Sequence, residues 1–185
     1  MAKVNKNIFT QGLSGSLGDQ IIFRQSKDGR TIVALKPTFS EDREFSSVQL
    51  EHQEEFREAI AYAQTVKGQE AYINKAKGTA MSAFNAAVAD WFNKPEVLEI
   101  DITGWNGQVG QIIRVKAQDD VQVTKVFVKI SDANGTLIEQ GDAVQADGLW
   151  WDYTTTTATS MNPAPQVVAT AQDLPGNRTD MAWQN

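Results

Sequence analysis

Gln122-Val123-Thr124-Lys125-Val126-Phe127-Val128-Lys129-Ile130 sets the character of the C-terminal half. Val126, Val128 and Ile130 alternate with Phe127 and Lys129, and Val121-Gln122-Val123 opens with the same two-residue period. That period puts one row of side chains into a core and the other toward water, as a half-buried strand requires. Outward from this stretch, strand-like runs recur at Val97–Ile102, Gln111–Ala117, Thr136–Glu139, Leu149–Thr157, Gln166–Ala171 and Thr179–Trp183. Turn-forming residues separate them: Trp105-Asn106-Gly107, Asp119-Asp120, Asp132-Ala133-Asn134-Gly135, Asp147-Gly148, Asn162-Pro163 and Pro175-Gly176-Asn177. About seven short strands with regular turns predict an all-β sandwich.

The preceding segment has a different period. Phe45, Val48, His52, Phe56, Ala59, Ile60, Ala63 and Val66 recur at spacings of three and four, one stripe of an amphipathic helix. Ser40, with Glu41, Asp42 and Glu44 after it, is the expected N-cap, and Lys67-Gly68 the expected stop. A second stripe runs through Tyr72, Ile73, Ala76, Ala80, Ala83, Phe84, Ala87, Val88 and Trp91, interrupted by Gly78. The two stripes predict an antiparallel helical hairpin, closed at Pro95.

At the N-terminus, Ile21-Ile22-Phe23-Arg24-Gln25 and Thr31-Ile32-Val33-Ala34-Leu35 flank a loop containing Asp28-Gly29, where glycine supplies the positive φ of a tight hairpin. Pro37 ends the second strand. Upstream, Gly12-Leu13-Ser14-Gly15-Ser16-Leu17-Gly18 lacks the spacing and the following helix of a phosphate-binding loop and reads as a glycine-permitted bend.

The run Val167-Val168-Ala169-Thr170-Ala171-Gln172-Asp173-Leu174-Pro175-Gly176-Asn177-Arg178-Thr179 resembles the final hairpin of bacterial immunoglobulin-like domains. Ile112–Ala117, followed by an Asp-rich turn and Val123–Ser131, is similar to the same family. The resemblance covers about half the chain and implies binding, display or assembly rather than catalysis, although a fold alone does not settle a function. Gly12–Asp19 with Ile22-Phe23-Arg24 also resembles the start of uncharacterised proteins from Bacteroidetes-type bacteria, which implies no activity. The expected fold class is therefore α+β: an N-terminal β-hairpin arm (1–40), an antiparallel helical hairpin (41–95) and a C-terminal immunoglobulin-like β-sandwich (96–185).

Composition narrows the chemistry. The 185 residues include no cysteine and one histidine, His52, which removes disulfides, thiolate nucleophiles and most zinc sites and hydrolytic triads. No apolar run approaches the length of a membrane span, so no membrane insertion is expected, and Met1–Thr10 carries no secretory signal. Location is left open between the cytoplasm, a particle and signal-less export. The formal net charge of −6 is unevenly spread. Residues 1–40 hold six basic and two acidic groups, whereas residues 97–185 hold five basic and eleven acidic ones. Without a basic cluster, nucleic acid is not an expected partner. A basic arm on an acidic body is instead suited to a neighbouring copy.

Asp119-Asp120, Asp132 with Asn134, and Asp147 with Asp152 are oxygen donors in turns, but the EF-hand spacing is not met and turn chemistry explains them. Asn134-Gly135-Thr136 and Asn177-Arg178-Thr179 likewise read as turns rather than glycosylation sites. No catalytic residue, metal or cofactor is expected. Adjacent Trp150 and Trp151 point to opposite faces of a strand, one inward and the other, taken as Trp151, toward a contact. An isolated hairpin is marginal in water, so Ile21, Ile22, Phe23, Ile32, Val33 and Leu35 need burial on the chain's own helices, its own sandwich edge or another copy's edge. With His52 and Trp151 these are the candidate interface residues. The expected function is a non-enzymatic structural subunit, a filament or phage-like particle component, that assembles with itself or with other structural proteins. The alternative is an adhesive module holding a carbohydrate or protein through its loops and an exposed tryptophan.

Overall fold

The computed structural model describes residues 2–4, 10, 12–18, 20–26, 28–38 and 44–183. Four N-terminal strands come first: β1 (Ala2–Val4), β2 (Gly15–Leu17), β3 (Ile21–Gln25) and β4 (Thr31–Leu35). Three helices follow: α1 (Ser47–Val66), α2 (Glu70–Ala76) and α3 (Ala83–Phe92). The rest is β5 (Glu96–Asp101), β6 (Ile112–Gln118), β7 (Val123–Ser131), β8 (Leu137–Gln145), β9 (Trp150–Thr154), β10 (Gln166–Asp173) and β11 (Arg178–Ala182). The chain is mixed α+β, and each of the seven expected C-terminal strands is present.

Those seven strands form one antiparallel sheet in the order β11-β10-β7-β8-β9-β6-β5. The sheet curls until its edge strands β5 and β11 touch, so it is nearly barrel-shaped. Strand β8 is longer than its predicted Thr136–Glu139 core, because Gly141 does not end it. It pairs with β7 through Leu137–Ala143 and then hands over to β9 at Val144 and Gln145. The Cα of Gly141 faces the Tyr153 ring, where an added Cβ would sit 3.1 Å from Cε2. Alternation holds as expected: Val126, Val128 and Ile130 are fully buried with Ile113, Val115, Val167, Ala169 and Ala171. Burying so many branched side chains, each worth about 1.5–3 kcal/mol, is the main stabilising term of this half.

The helical segment departs from a two-helix hairpin. Gly78, at φ +74°, ends the second stripe's first half instead of bending it. Ser82 then caps a separate α3 by accepting from the Asn85 amide at 3.1 Å. The first helix starts later than expected: Ser46 and Gln49 form a capping box, and Glu44 and Phe45 precede the helix. Ser40, Glu41 and Asp42 lie outside the described residues. Ala63, Val66, Tyr72, Ala86 and Ala87 form the helical core, which extends onto the β half through Val121 and Leu174.

The arm is more than a hairpin. β3 and β4 pair as predicted around Gly29, at φ +78°, but β1 and β2 flank them in a four-stranded sheet of order β1-β4-β3-β2. Among the described residues, neither destination within the chain, its helices or the edge of its seven-stranded sheet, is taken. The sheet shares no ladder with the seven-stranded one, and none of its strands packs extensively on the helices among the described residues.

Candidate functional site

Register sorts the arm's side chains onto two faces. Ile21 stands opposite both Leu17 and Leu35, and Phe23 opposite Val33. Directly opposed residues share a face, so Leu17, Ile21, Phe23, Val33 and Leu35 form one apolar surface. Ser16, Ile22, Arg24, Ile32 and Ala34 make up the mixed opposite face. Four of the six arm residues singled out in the sequence therefore lie together, while Ile22 and Ile32 point the other way. Ile21, Phe23 and Val33 are half-buried, and Leu35 and Leu17 are 79% and 63% exposed. Leu17 escaped the sequence reading because β2 begins in a glycine-rich stretch without strand propensity. The Gln25 side chain stitches this stretch to the hairpin, donating to the Leu13 carbonyl at 2.7 Å and to the Thr31 hydroxyl at 3.0 Å.

A second apolar surface lies on the first turns of α1. The stripe is buried only toward its C-terminal end, at Ala59, Ala63 and Val66, while Phe45, Val48 and Phe56 remain exposed. Phe56 stacks on Phe92 of α3 with ring centroids 6.4 Å apart. His52 is exposed, not packed in a core, and its Nδ1 lies 3.2 Å from Glu55 Oε2. It lines a shallow depression with Gln53, Phe56, Arg57 and Phe92. Helices α2 and α3 cover only the distal part of α1, which explains the exposure.

The tryptophan assignment reverses. Trp151 is buried in the core of the curled sheet, and Trp150 faces outward. The Trp150 ring is flanked by the Arg114 guanidinium at 4.9 Å and the Lys116 ammonium at 5.7 Å from its centroid. β9 enters the ladder with Trp151 opposite Val115, whose side chain points inward, and this sets which tryptophan is buried.

Acidic side chains meet at the joint between the helices and the curled sheet. Asp90 on α3 is fully buried, and its Oδ2 accepts from the Tyr72 hydroxyl at 2.5 Å. The Tyr62 hydroxyl lies 2.7 Å from that of Tyr72. Burial pushes the Asp90 carboxyl up to about 7, the Tyr72 hydrogen bond opposes this, and the charges of Asp119, Asp120 and Asp173 add to it. Asp119 Oδ2 accepts from the Val121 and Gln122 amides, both at 2.9 Å. Buried Asp173 accepts from the Gly176 and Asn177 amides, and burial raises its carboxyl as well. Asp132 behaves as a turn residue, accepting from the Asn134 and Thr136 amides at 2.8 Å, and the Asp147 carbonyl accepts from the Trp150 amide at 3.0 Å, whereas Asp152 lies within strand β9 and pairs with Arg114 on β6. Asp90 was not recognised in the sequence as a site residue. Its signal was a carboxylate three positions after Ala87 on an otherwise apolar helix face.

No helix among the described residues is long and apolar enough to cross a membrane. No protein-family model matches the sequence, and no curated protein matches it. Several solved structures match part of the chain. A tetra-tandem repeat in the extending region of a large adhesion protein is 17% identical, over 50% of this chain and 23% of that one, with a TM-score of 0.31. CopC from Methylosinus trichosporium is 12% identical over 48% of this chain and 88% of its own, with a TM-score of 0.36. An engineered protein is 19% identical, with a TM-score of 0.35, and the match spans 54% of this chain and a quarter of that protein's length.

Proposed function

We propose that the chain is a non-enzymatic structural subunit that associates with further copies of itself through the apolar face of its N-terminal sheet. The immunoglobulin-like character of the C-terminal half, as a display or assembly body, belongs to the same reading. One observation carries it: a single-layer sheet presents Leu17, Ile21, Phe23, Val33 and Leu35 on one face, and among the described residues no second layer packs against them. A sheet with one apolar face is stable when another layer covers it. A second copy is the occupant the charges favour, because a basic arm meets an acidic body at each junction. The exposed Phe45, Val48 and Phe56 extend the apolar surface available to such a neighbour. If the contact is head to tail, its repetition builds a ring or an open filament.

Negative-stain electron microscopy with light scattering on the full-length protein tests this. Rings, tubes or fibres are expected, and they should disappear when residues 1–36 are deleted while the β half keeps its fold. A monodisperse monomer at high concentration would overturn self-association and turn attention to the Trp150 face as the contact of an adhesive module.

A further inference from the structure

We propose that Asp90, Asp119 and Asp120 form a binding site for a divalent, oxygen-preferring cation at the joint between α3 and the β6–β7 turn. Each of the three brings a carboxylate oxygen within 4.8 Å of the other two. Two oxygens bound to one calcium at about 2.3–2.6 Å stand no further apart than about 5 Å. The spacing is therefore that of ligands around an ion.

The hydrogen-bond accounting points independently to a missing partner. Asp90 is fully buried, and Tyr72 occupies its Oδ2, but its Oδ1 has no hydrogen-bond partner among the described residues. On Asp119, two backbone amides occupy Oδ2, and the buried Oδ1 is bare. Buried carboxylate oxygens are almost always partnered. Two bare ones, on side chains brought together from a helix and a turn, leave lone pairs for a ligand that only accepts electron pairs. The charges agree: Asp173 adds a fourth carboxylate nearby, and the C-terminal end of α3 contributes its partial negative charge. Lys75 approaches only the outer member, with its ammonium 3.7 Å from Asp120 Oδ2 and bonded to the Asp120 carbonyl. Asn93 donates to the same Oδ2 at 3.3 Å. An all-carboxylate set without histidine or cysteine selects a hard cation over zinc or copper. Bound there, the ion would clamp α3 to the β half.

The test uses the full chain, stripped with a chelator and titrated with calcium chloride by calorimetry. Thermal melts and terbium luminescence excited through the nearby aromatic side chains provide parallel readouts. A saturable site and a higher melting temperature with calcium are expected. Asp119→Asn and Asp120→Asn should each weaken binding by about tenfold or more, and Asp142→Asn, on the outer surface of β8, should leave it unchanged. Lys75→Met should tighten binding by removing the competing ammonium. Should Asp119→Asn fail to fold, the partly exposed Asp120 decides the matter alone. No saturable binding at about 10 mM calcium, or equal binding by folded Asp120→Asn, would overturn the proposal.

Discussion

Asn177 donates its side-chain amide to the Trp91 carbonyl at 3.2 Å, across 86 positions of sequence. The same nitrogen reaches the Asn93 carbonyl at 3.1 Å and Asp173 Oδ2 at 2.8 Å. A residue of the last β-turn thus satisfies carbonyls at the C-terminal end of α3, where helices leave such groups without intrahelical partners. Asn177→Ala should lower stability by about 1–3 kcal/mol. Urea unfolding measures the loss. Hydrogen exchange should place it first at the end of α3, and a loss spread evenly over the curled sheet would contradict this account.

The two adjacent tryptophans should respond very differently to truncation. Trp151→Ala empties a core position and should cost about 3–5 kcal/mol. Trp150→Ala removes only an outward ring with its Arg114 and Lys116 contacts, about 0.5–1 kcal/mol. Equal midpoint shifts in urea would mean that the inward and outward assignments are wrong.

Tyr72 supplies the hydrogen bond that Asp90 accepts. In Tyr72→Phe a buried carboxylate loses that donor, and destabilisation of about 1–3 kcal/mol follows. Tyr62→Phe, which removes a hydroxyl one step further from the carboxylate, should cost less. Paired thermal melts give the order directly.

All three tyrosines, Tyr62, Tyr72 and Tyr153, have hydroxyls pushed above the ordinary value of 10, with burial as the leading cause. A phenol with a raised folded-state pKa contributes stability that is fully present below 10 and is lost as pH climbs through the folded value. Ultraviolet titration should therefore show no tyrosinate in the folded chain near pH 10. The signal should rise together with loss of circular dichroism at higher pH, and an earlier, separate rise would contradict the buried positions.

On the N-terminal sheet, Phe23 and Arg24 are neighbours in sequence and point to opposite faces. Phe23→Asp should abolish association in sedimentation experiments, and Arg24→Ala should leave most of it. Raising the salt concentration should weaken the basic-on-acidic part of the contact, because screening shortens the reach of exposed charges. Association that survives Phe23→Asp would move the contact to α1.

The β half was legible because each of its strands carries its own period. Val126, Val128 and Ile130 had to share a face whatever their partners. The arm was less legible, since β2 owes its strand conformation to pairing with β3, and Gly15, at φ +112°, has no local preference for it. The break in the second helical stripe rested on Gly78, which tolerates a kink and a stop equally well in sequence. Asp90 could be placed on the apolar face of α3, but Asp119 and Asp120 become its neighbours only through tertiary packing. The choice between Trp150 and Trp151 depended on register with β6, which neither residue encodes.

Seven is an odd number, and an antiparallel sheet with an odd number of strands has edges that run the same way. β5 and β11 both begin at the helical end, where Asn177 touches Asn93, and both run away from it. The chain consequently enters the curled sheet at one pole and leaves it at the other. Tension between those poles would pull β5 along β6 and β11 along β10, loading each row of ladder hydrogen bonds in shear, all at once, instead of opening them one by one. In a subunit held by its neighbours at both ends, the sheet would behave as a stiff link and the single-layer arm as the part that yields first.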